Sequence, residues 1–154
     1  MRIGVISDTH GLLDPAVAKH FADVDHIIHG GDVGPRAILS RLENLAPLTA
    51  VLGNTDDASL GLRDLEVVVL AGRTFLVRHI VDPDAQSEEL QGLLDRVKPQ
   101  VVVYGHTHQP RELRQDGILF LNPGSAGKQR FLCPRTLGIL TLTEASMDVR
   151  MLTL

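Results

Sequence analysis

The segment Arg2-Ile3-Gly4-Val5-Ile6-Ser7-Asp8-Thr9-His10 (RIGVISDTH) decides the fold, because it joins an apolar run directly to two side chains that can bind a metal ion. The run from Ile3 to Ile6 is short and apolar, which is typical of a buried strand. Asp8 and His10 follow it two residues apart. In an extended segment, residues i and i+2 point to the same side, so the spacing predicts that both side chains reach one ion.

The same arrangement, an apolar run followed by residues that can bind a cation, recurs along the chain. The further segments are Gly31-Asp32, Gly53-Asn54-Thr55-Asp56, Arg78-His79 and Gly105-His106-Thr107-His108. The carboxyl ends of neighbouring parallel strands meet at one edge of an open sheet, where ligands commonly bind. The sequence therefore predicts a cluster of candidate metal ligands at that edge: Asp8, His10, Asp32, Asn54, His79, His106 and His108.

The first third of the chain alternates between strand and helix patterns. Strands are predicted at residues 3–6, 25–29 and 48–52, and helices at 14–21 and 35–45. Asp14-Pro15 is a favourable helix start, with Asp as the N-cap and Pro at the first helical position. This order predicts a parallel sheet with right-handed crossovers.

The remainder of the chain predicts a hairpin, one helix and several further strands. The hairpin pairs residues 66–70 with 74–79, the helix covers 86–97, and strands follow at 101–104, 118–121, 136–142 and 147–152. We expect the last three strands to be antiparallel. No linker or repeat interrupts the pattern, so residues 1–154 are expected to form a single α/β domain.

Composition narrows the function classes. The chain has 154 residues, 44% of them hydrophobic, and a net charge of -4. No basic face with interleaved aromatics is apparent, which argues against binding of long nucleic acid. The single cysteine excludes an intramolecular disulfide, and no apolar run is long enough to cross a bilayer. We expect a soluble cytoplasmic protein that does not bind a membrane.

The candidate ligands favour two-metal chemistry on a phosphate ester. A mixed set of oxygens and imidazole nitrogens suits Mn, Fe, Zn or similar ions. A carboxylate has two oxygens, so Asp32 could bridge two cations. Two divalent cations on two aspartates would leave a net charge of about +2, which attracts a phosphoryl group. A bridging water would be acidified and become the nucleophile.

The five segments together resemble the signature of the calcineurin-like metallophosphoesterases. Asp8-x-His10, Gly31-Asp32, Gly53-Asn54, His79 and Gly105-His106-x-His108 match it in order over almost the whole chain. The chain length and Asn122-Pro123-Gly124-Ser125 resemble the small single-domain branch of bacterial and archaeal phosphodiesterases, also called YfcE-like.

The resemblance implies a two-sheet αββα sandwich with mixed sheets flanked by helices, and it implies a ligand assignment. One metal would take Asp8, His10, Asp32 and His108, and the other would take Asp32, Asn54, His79 and His106. Asp32 would bridge the two ions, and Asn54 would also contact the phosphate. Asn54, His79 and Asp32 are thus the predicted catalytic residues. The cofactors would be two divalent ions, with Mn favoured and Fe, Zn, Ni or Mg as alternatives.

Two positions depart from the family pattern. Thr55 stands where many members have a His that is thought to protonate the leaving group, and a hydroxyl is a poor general acid near neutral pH. Ile80 stands where Gly usually follows the ligand His. Gly often permits a close backbone approach, so this difference is expected to affect the shape of the substrate site.

These observations lead to a main hypothesis and two alternatives. The main hypothesis is a binuclear metal phosphoesterase, most consistent with a phosphodiesterase acting on a small ester through a metal-bridging hydroxide. The alternatives are a non-catalytic scaffold of the same fold, like the eukaryotic retromer subunit, and a nuclease acting on short or cyclic nucleotides. A homodimer is a weaker expectation. His29 is a candidate to support the site, Asp56 and Asp57 are expected to cap loops, and Arg130 is a possible phosphate contact.

Overall fold

The computed structural model describes residues 1–129 and 133–154, and it consists of two five-stranded sheets packed face to face between helices. The first sheet contains β1 (Arg2–Ile6), β2 (His26–His29), β3 (Leu48–Ala50), β9 (Thr136–Leu142) and β10 (Met147–Thr153), in the order β10-β9-β1-β2-β3. The second contains β4 (Leu65–Leu70), β5 (Arg73–Arg78), β6 (Val101–Val103), β7 (Pro110–Gln115) and β8 (Ile118–Pro123), in the order β4-β5-β6-β8-β7. The helices are α1 (Pro15–His20), α2 (Ala37–Glu43) and α3 (Glu88–Val97), with a 3-10 turn at Ala58–Leu60.

Both sheets are mixed, as the resemblance implied. In the first sheet β1, β2 and β3 are parallel, while β9 and β10 join as antiparallel strands. In the second sheet β5, β6 and β8 are parallel, with antiparallel β4 and β7 at the two edges. The predicted parallel core, the hairpin and the αββα architecture are confirmed.

The later part of the chain differs from the prediction in two ways, although β9 and β10 are antiparallel as expected. The strand at Pro110–Gln115 was not predicted, because its sequence contains a single large apolar residue, Leu113, among charged and polar ones. That composition suits an exposed edge strand, where charge discourages pairing with other chains. Because β7 is inserted before it, β8 runs parallel to β6 and antiparallel only to β7.

The hydrophobic core has three layers that follow the sheet faces. Side chains between the two sheets include Ile3, Val5 and Phe75. The outer face of the first sheet packs against α1 and α2, and the outer face of the second packs against α3. Gly4 is required in β1, because a Cβ there would lie 2.8 Å from the ring of Phe21.

The N-cap predicted at Asp14 is present, and the structure shows a second one at Ser87. The side chain of Asp14 accepts a hydrogen bond from the amide of Ala16 at the start of α1, and Ser87 caps α3 in the same way through Leu90. None of the helices in the described part of the chain is long and apolar enough to span a membrane.

Candidate metal centre

All seven candidate ligands lie at the carboxyl ends of strands from both sheets. Asp8 and His10 follow β1, Asp32 follows β2 and Asn54 follows β3. His79 follows β5, and His106 and His108 follow β6. Because the strand ends of the two packed sheets meet, residues far apart in the chain, such as His10 and His108, come into contact.

One side of the cluster contains Asp8, His10 and His108. The Nε2 atom of His108 lies 3.2 Å from Oδ1 of Asp8 and 3.3 Å from Nε2 of His10. The Nε2 atom of His10 is 4.0 Å from the same carboxylate oxygen. These atoms converge closely enough to share one cation.

The other side contains Asn54, His79 and His106. The Oδ1 atom of Asn54 lies 3.1 Å from Nε2 of His79 and 2.9 Å from Nδ1 of His106. Asp32 lies between the two sides, with its Oδ2 atom 3.4 Å from Nε2 of His79 and 3.7 Å from Nε2 of His10. This central position is the one that a bridging carboxylate would need.

The described residues contain a second group of aspartate and histidine side chains that could hold a cation. Its members differ from those that the resemblance assigned to the second metal. It joins Asp8, Asp32 and His79, whose ligand atoms also lie within 4.8 Å of one another. His106 is not a member of this group and contacts Asn54 and the edge of the His79 ring instead. Asp8 therefore approaches both sides of the cluster, although the resemblance placed it on one side only.

The backbone that presents these side chains is not extended, so the reasoning from i, i+2 strand geometry was wrong. Five candidate ligands have left-handed backbone conformations, with φ of 53° at Asp8, 44° at His10, 54° at Asp32, 68° at His106 and 59° at His108. Such values are uncommon for residues other than glycine, and they cluster at functional sites. The side chains converge because the loops turn back sharply after the strands end.

Hydrogen bonds between loops hold this backbone in place. The amide of Asp8 donates to the carbonyl of Gly31 at 3.0 Å, and the amide of His10 donates to the carbonyl of Asp32 at 2.9 Å. The loops after β1 and β2 therefore continue to pair beyond the end of the parallel sheet. This pairing keeps the side chains of Asp8, His10 and Asp32 at one place.

The ring of His79 is oriented by a backbone carbonyl. Its Nδ1 lies 2.7 Å from the carbonyl oxygen of Gly30 and must donate the hydrogen bond, since a carbonyl can only accept. In the neutral ring the lone pair of Nε2 then faces oxygen atoms of Asn54 and Asp32. Lone pairs directed at one another require either a proton or a cation between them. Imidazole rings that bind a metal ion through one nitrogen are commonly oriented by such a hydrogen bond from the other nitrogen to a backbone carbonyl.

The charges in the cluster shift the pKa values of its members. Burial raises the pKa of Asp8 to about 6, with smaller opposing contributions from hydrogen bonds. Burial also tends to raise the pKa of Asp32, but hydrogen bonds from His79 and Thr55 outweigh it, and the pKa is lowered. Burial tends to lower the pKa of His79, but the hydrogen bonds to Asp32 and Gly30 and the charges of Asp8 and Asp32 together outweigh it, so that this pKa is raised.

The carboxylate of Asp8 provides a test of whether a cation fits here. Its Oδ1 atom is buried and accepts no hydrogen bond, the one such side-chain atom within the described part of the chain. Buried polar atoms without a partner are rare in folded proteins and call for an explanation. A metal ion next to His10 and His108 would satisfy this oxygen, so the residues present fit a cation.

A buried pair, Thr9 and His29, forms hydrogen bonds to the backbone of the loop that carries Asp32. The Oγ1 atom of Thr9 lies 3.0 Å from Nε2 of His29 and donates to the carbonyl of Val33 at 2.9 Å. The Nδ1 atom of His29 accepts from the amide of Gly31 at 3.2 Å. Burial lowers the pKa of His29 to about 4, so the ring is neutral at pH 7. Thr9 was not singled out from the sequence, because its type gives no sign of what it contacts.

Asp56 connects two of the ligand loops. Its carboxylate accepts hydrogen bonds from the amides of Val33 at 3.0 Å, Gly34 at 2.8 Å and Gly53 at 2.9 Å. It thus fixes the loop carrying Asp32 against the turn carrying Asn54, which is more than the loop cap that was predicted. Asp57 is an ordinary cap, accepting from the amide of Ser59.

Thr55 and the turn at 122–125, which the sequence analysis also singled out, form hydrogen bonds to the candidate ligands or to their loops. The amide of Thr55 donates to Asp32 at 2.8 Å, and its hydroxyl lies 3.5 Å from Nδ1 of His10. The side chain of Asn122 donates to the carbonyl of Gly105, and the hydroxyl of Ser125 donates to the carbonyl of Asp8. The turn at 122–125 therefore braces the ligand loops. Arg130 lies outside the described residues.

Comparison with known proteins identifies the family. The model of the calcineurin-like phosphoesterase superfamily domain matches residues 1–145. The chain belongs to the calcineurin-like phosphoesterase superfamily. Its relatives include a probable metallophosphoesterase from Methanothermobacter thermautotrophicus, 33% identical over 160 residues, which cover 99% of this chain and 92% of the relative.

Solved structures show the same fold. A structure described as a novel archaeal phosphodiesterase superposes with a TM-score of 0.81 at 27% identity, covering 100% of both chains. Wild-type Vps29 from Entamoeba histolytica, in complex with zinc, superposes with a TM-score of 0.76 at 19% identity, covering 99% of each chain. The second likeness concerns the fold alone. The family resemblance read from the five segments is confirmed.

Proposed function

We propose that the protein hydrolyses a small phosphodiester with the help of two divalent cations held by the cluster. The observation that carries the proposal is the central position of Asp32, whose Oδ2 atom approaches both His10 and His79. The complete set of predicted ligands also supports it: Asp8, His10, Asp32, Asn54, His79, His106 and His108. The superfamily to which the chain belongs consists of phosphoesterases.

The residues divide into two proposed roles. Asp8, His10, Asp32 and His108 would hold one cation, and Asp32, Asn54, His79 and His106 would hold the other. Bound cations would neutralise charge on the phosphate and acidify a water molecule so that it can attack phosphorus at neutral pH. Manganese is the ion we would test first, because oxygen and imidazole ligands accommodate it.

The protein's own groups would orient the phosphate and stabilise its charge. The side-chain amide of Asn54 has two donors that remain available for a phosphate oxygen while its Oδ1 faces His79 and His106. In hydrolysis a water oxygen bonds to phosphorus, the bond from phosphorus to the leaving oxygen breaks, and that oxygen takes up a proton.

No strong proton donor stands at position 55. The hydroxyl of Thr55 lies 3.5 Å from Nδ1 of His10, but a hydroxyl does not give up its proton readily at neutral pH. Esters with acidic leaving alcohols need little protonation. We therefore propose that the rate falls more steeply with the basicity of the leaving group than in a homologue that has His at this position.

The test is hydrolysis of bis(p-nitrophenyl) phosphate by metal-free protein reconstituted with Mn²⁺. We expect turnover that Asp32→Asn abolishes, with a loss of at least about a hundredfold, since a bridging ligand is removed. Asn keeps the shape of the side chain and tolerates the left-handed backbone at this position. Equal rates in the two proteins would refute the proposed activity.

The non-catalytic scaffold remains the competing proposal, and the fold shared with Vps29 supports it to the extent that fold alone can. The chain has candidate ligands at all seven positions, which favours the enzyme. Metal content alone does not separate the two, because a Vps29 structure contains zinc. Hydrolysis by the Mn²⁺-loaded protein does: turnover that Asp32→Asn abolishes supports the enzyme, and metal binding without turnover supports the scaffold.

A further inference from the structure

A hollow of about 430 Å³ opens directly beside the candidate metal centre. It lies between the loop that follows β5 and the segment that connects β6 to β7. His106 forms part of its wall, and the ring of His106 contacts Asn54 on its other side at 2.9 Å. The hollow therefore lies next to the place where a phosphate group would bind, with His106 at their boundary.

The walls of the hollow are mainly apolar. The apolar part is formed by Ile80, Val81, Pro83, Tyr104 and Pro110, and the uncharged polar residues Thr107 and Gln109 also line the hollow. Tyr104 is 2% exposed and Val81 is 7% exposed, so this part is built into the fold. Burial raises the pKa of Tyr104, so its hydroxyl stays neutral in the physiological range. Apolar walls of this kind favour an uncharged, apolar group.

The charged residues of the hollow disfavour an anion. The guanidinium of Arg111 makes two hydrogen bonds to the carboxylate of Asp84, at 2.7 and 2.8 Å, so its charge is already matched. Asp82 adds a second carboxylate. Two carboxylates and one guanidinium leave one net negative charge, which favours an uncharged group in the hollow over a second anionic one.

Ile80 separates this hollow from another. Its side chain is 51% exposed, and it lines both the hollow beside His106 and a smaller one, of about 230 Å³, beside Asn54 and His79. A ligand in either hollow would therefore contact the exposed side chain of Ile80. Ile80 is thus placed to contact the organic part of a substrate whose phosphate lies at the centre.

We infer that the hollow beside His106 is a specificity subsite for an uncharged apolar or aromatic ester group of the substrate. Ile80 would contact this group, and the Asp84–Arg111 pair would disfavour an anionic one. The inference rests on the proposed phosphoesterase function and specifies the substrate class. A larger hollow of about 550 Å³, which includes Lys98 and Gln115, contains none of the candidate ligands and has no comparable link to the chemistry.

The test uses phosphonates, whose carbon–phosphorus bond is not hydrolysed by phosphoesterases, so that binding is measured apart from turnover. Calorimetric titration of the Mn²⁺-loaded protein compares methylphosphonate, phenylphosphonate and 4-carboxyphenylphosphonate. We expect phenylphosphonate to bind about tenfold more tightly than methylphosphonate, because the ring buries several additional carbons. We expect 4-carboxyphenylphosphonate to bind more weakly than phenylphosphonate.

Two variants and two matched controls locate the subsite. Ile80→Ala should reduce the phenyl-to-methyl affinity ratio at least about threefold, because part of the apolar wall is removed. The control Val69→Ala truncates another exposed aliphatic side chain, 64% exposed on β4, and should keep the wild-type ratio. Asp84→Asn leaves Arg111 without its carboxylate and should improve the relative binding of 4-carboxyphenylphosphonate about threefold. The control Asp116→Asn, at an exposed carboxylate outside the hollow, should leave the relative binding of 4-carboxyphenylphosphonate unchanged.

The outcomes separate the subsite from the proposed function. If methylphosphonate binds and diesters are hydrolysed, but the phenyl group brings no gain or Ile80→Ala leaves the ratio unchanged, the subsite is refuted and the phosphoesterase stands. If no phosphonate binds and no ester is hydrolysed in the Mn²⁺-loaded protein, both are refuted.

Discussion

Asp8 is energetically unfavourable in the folded chain without a cation. Its side chain is fully buried, and one of its oxygens accepts no hydrogen bond. Burial raises its pKa from 3.8 to about 6, so the folded protein binds the proton more tightly than the unfolded chain does. Without metal, this residue therefore destabilises the fold as the pH rises from about 4 through 6.

Replacing Asp8 with Asn should therefore stabilise the metal-free protein. We expect a gain of at most about 3 kcal/mol at pH 7, which shrinks towards zero below pH 4, where the carboxylate is protonated in both states. Urea unfolding in EDTA at several pH values measures this. The same variant should lose most of the stabilisation by Mn²⁺, and a D8N protein less stable than the wild type at pH 7 would contradict the account.

Thr9 illustrates how a residue without ligand chemistry can position the ligands. Thr9→Val keeps the shape of the side chain but leaves the ring of His29 and the carbonyl of Val33 without their partner. We expect a loss of about 1–3 kcal/mol in stability and a tenfold to hundredfold weaker Mn²⁺ affinity, measured by calorimetric titration.

A serine at this position provides the control for Thr9→Val. Thr9→Ser retains the hydroxyl and should restore Mn²⁺ affinity to within about threefold of the wild type. If Val and Ser weaken Mn²⁺ binding equally, the hydroxyl does not act as described and packing of the methyl group accounts for the effect.

At the scale of elements, the site depends on how loops after different strands are joined. The loops after β2 and β3 are linked by the carboxylate of Asp56 through three backbone amides. Asp56→Ala would leave these amides of Val33, Gly34 and Gly53 without their acceptor. We expect a destabilisation of about 2–3 kcal/mol and faster hydrogen exchange at these three amides.

The neighbouring aspartate is a matched control. Asp57 caps only the short 3-10 turn through the amide of Ser59, so Asp57→Ala should cost about 1 kcal/mol or less and leave exchange at Val33 and Gly53 unchanged. Equal effects of the two substitutions would show that Asp56 has no special linking role.

The sequence predicted most elements but not how the ligand loops present their side chains. Strands such as Arg2–Ile6 and Val101–Val103 are buried apolar runs, which are recognisable without tertiary context. The edge strand at Pro110–Gln115 has no such pattern, because one of its edges and much of its surface remain in water. The left-handed backbone at Asp8 and His10 depends on pairing with the β2 loop, which only the folded chain reveals.

At the scale of the whole molecule, the centre ties the two sheets together. Asp8, His10, Asp32 and Asn54 come from the first sheet, while His79, His106 and His108 come from the second. The order of strand-end motifs was enough to predict that these residues gather at one place. It was not enough to predict that Asp8 approaches both sides of the cluster, which follows from how the two sheets pack.

Because ligands come from both sheets, metal binding should stabilise the entire fold. Mn²⁺ at a hundredfold excess over its dissociation constant would add about 2.7 kcal/mol, and EDTA would remove it. Thermal unfolding with and without EDTA measures the effect. The stabilisation should be larger at pH 7.5 than at pH 5.5, since imidazole ligands and Asp8 must be deprotonated to bind a cation. A shift independent of pH would argue against these ligands.

The most direct measurement is anomalous diffraction at the manganese edge from crystals grown with Mn²⁺. The account predicts two peaks, one on each side of the carboxylate of Asp32, with His10 and His108 next to one and His79 next to the other. A single peak, or peaks that Asp32 does not contact, would contradict it.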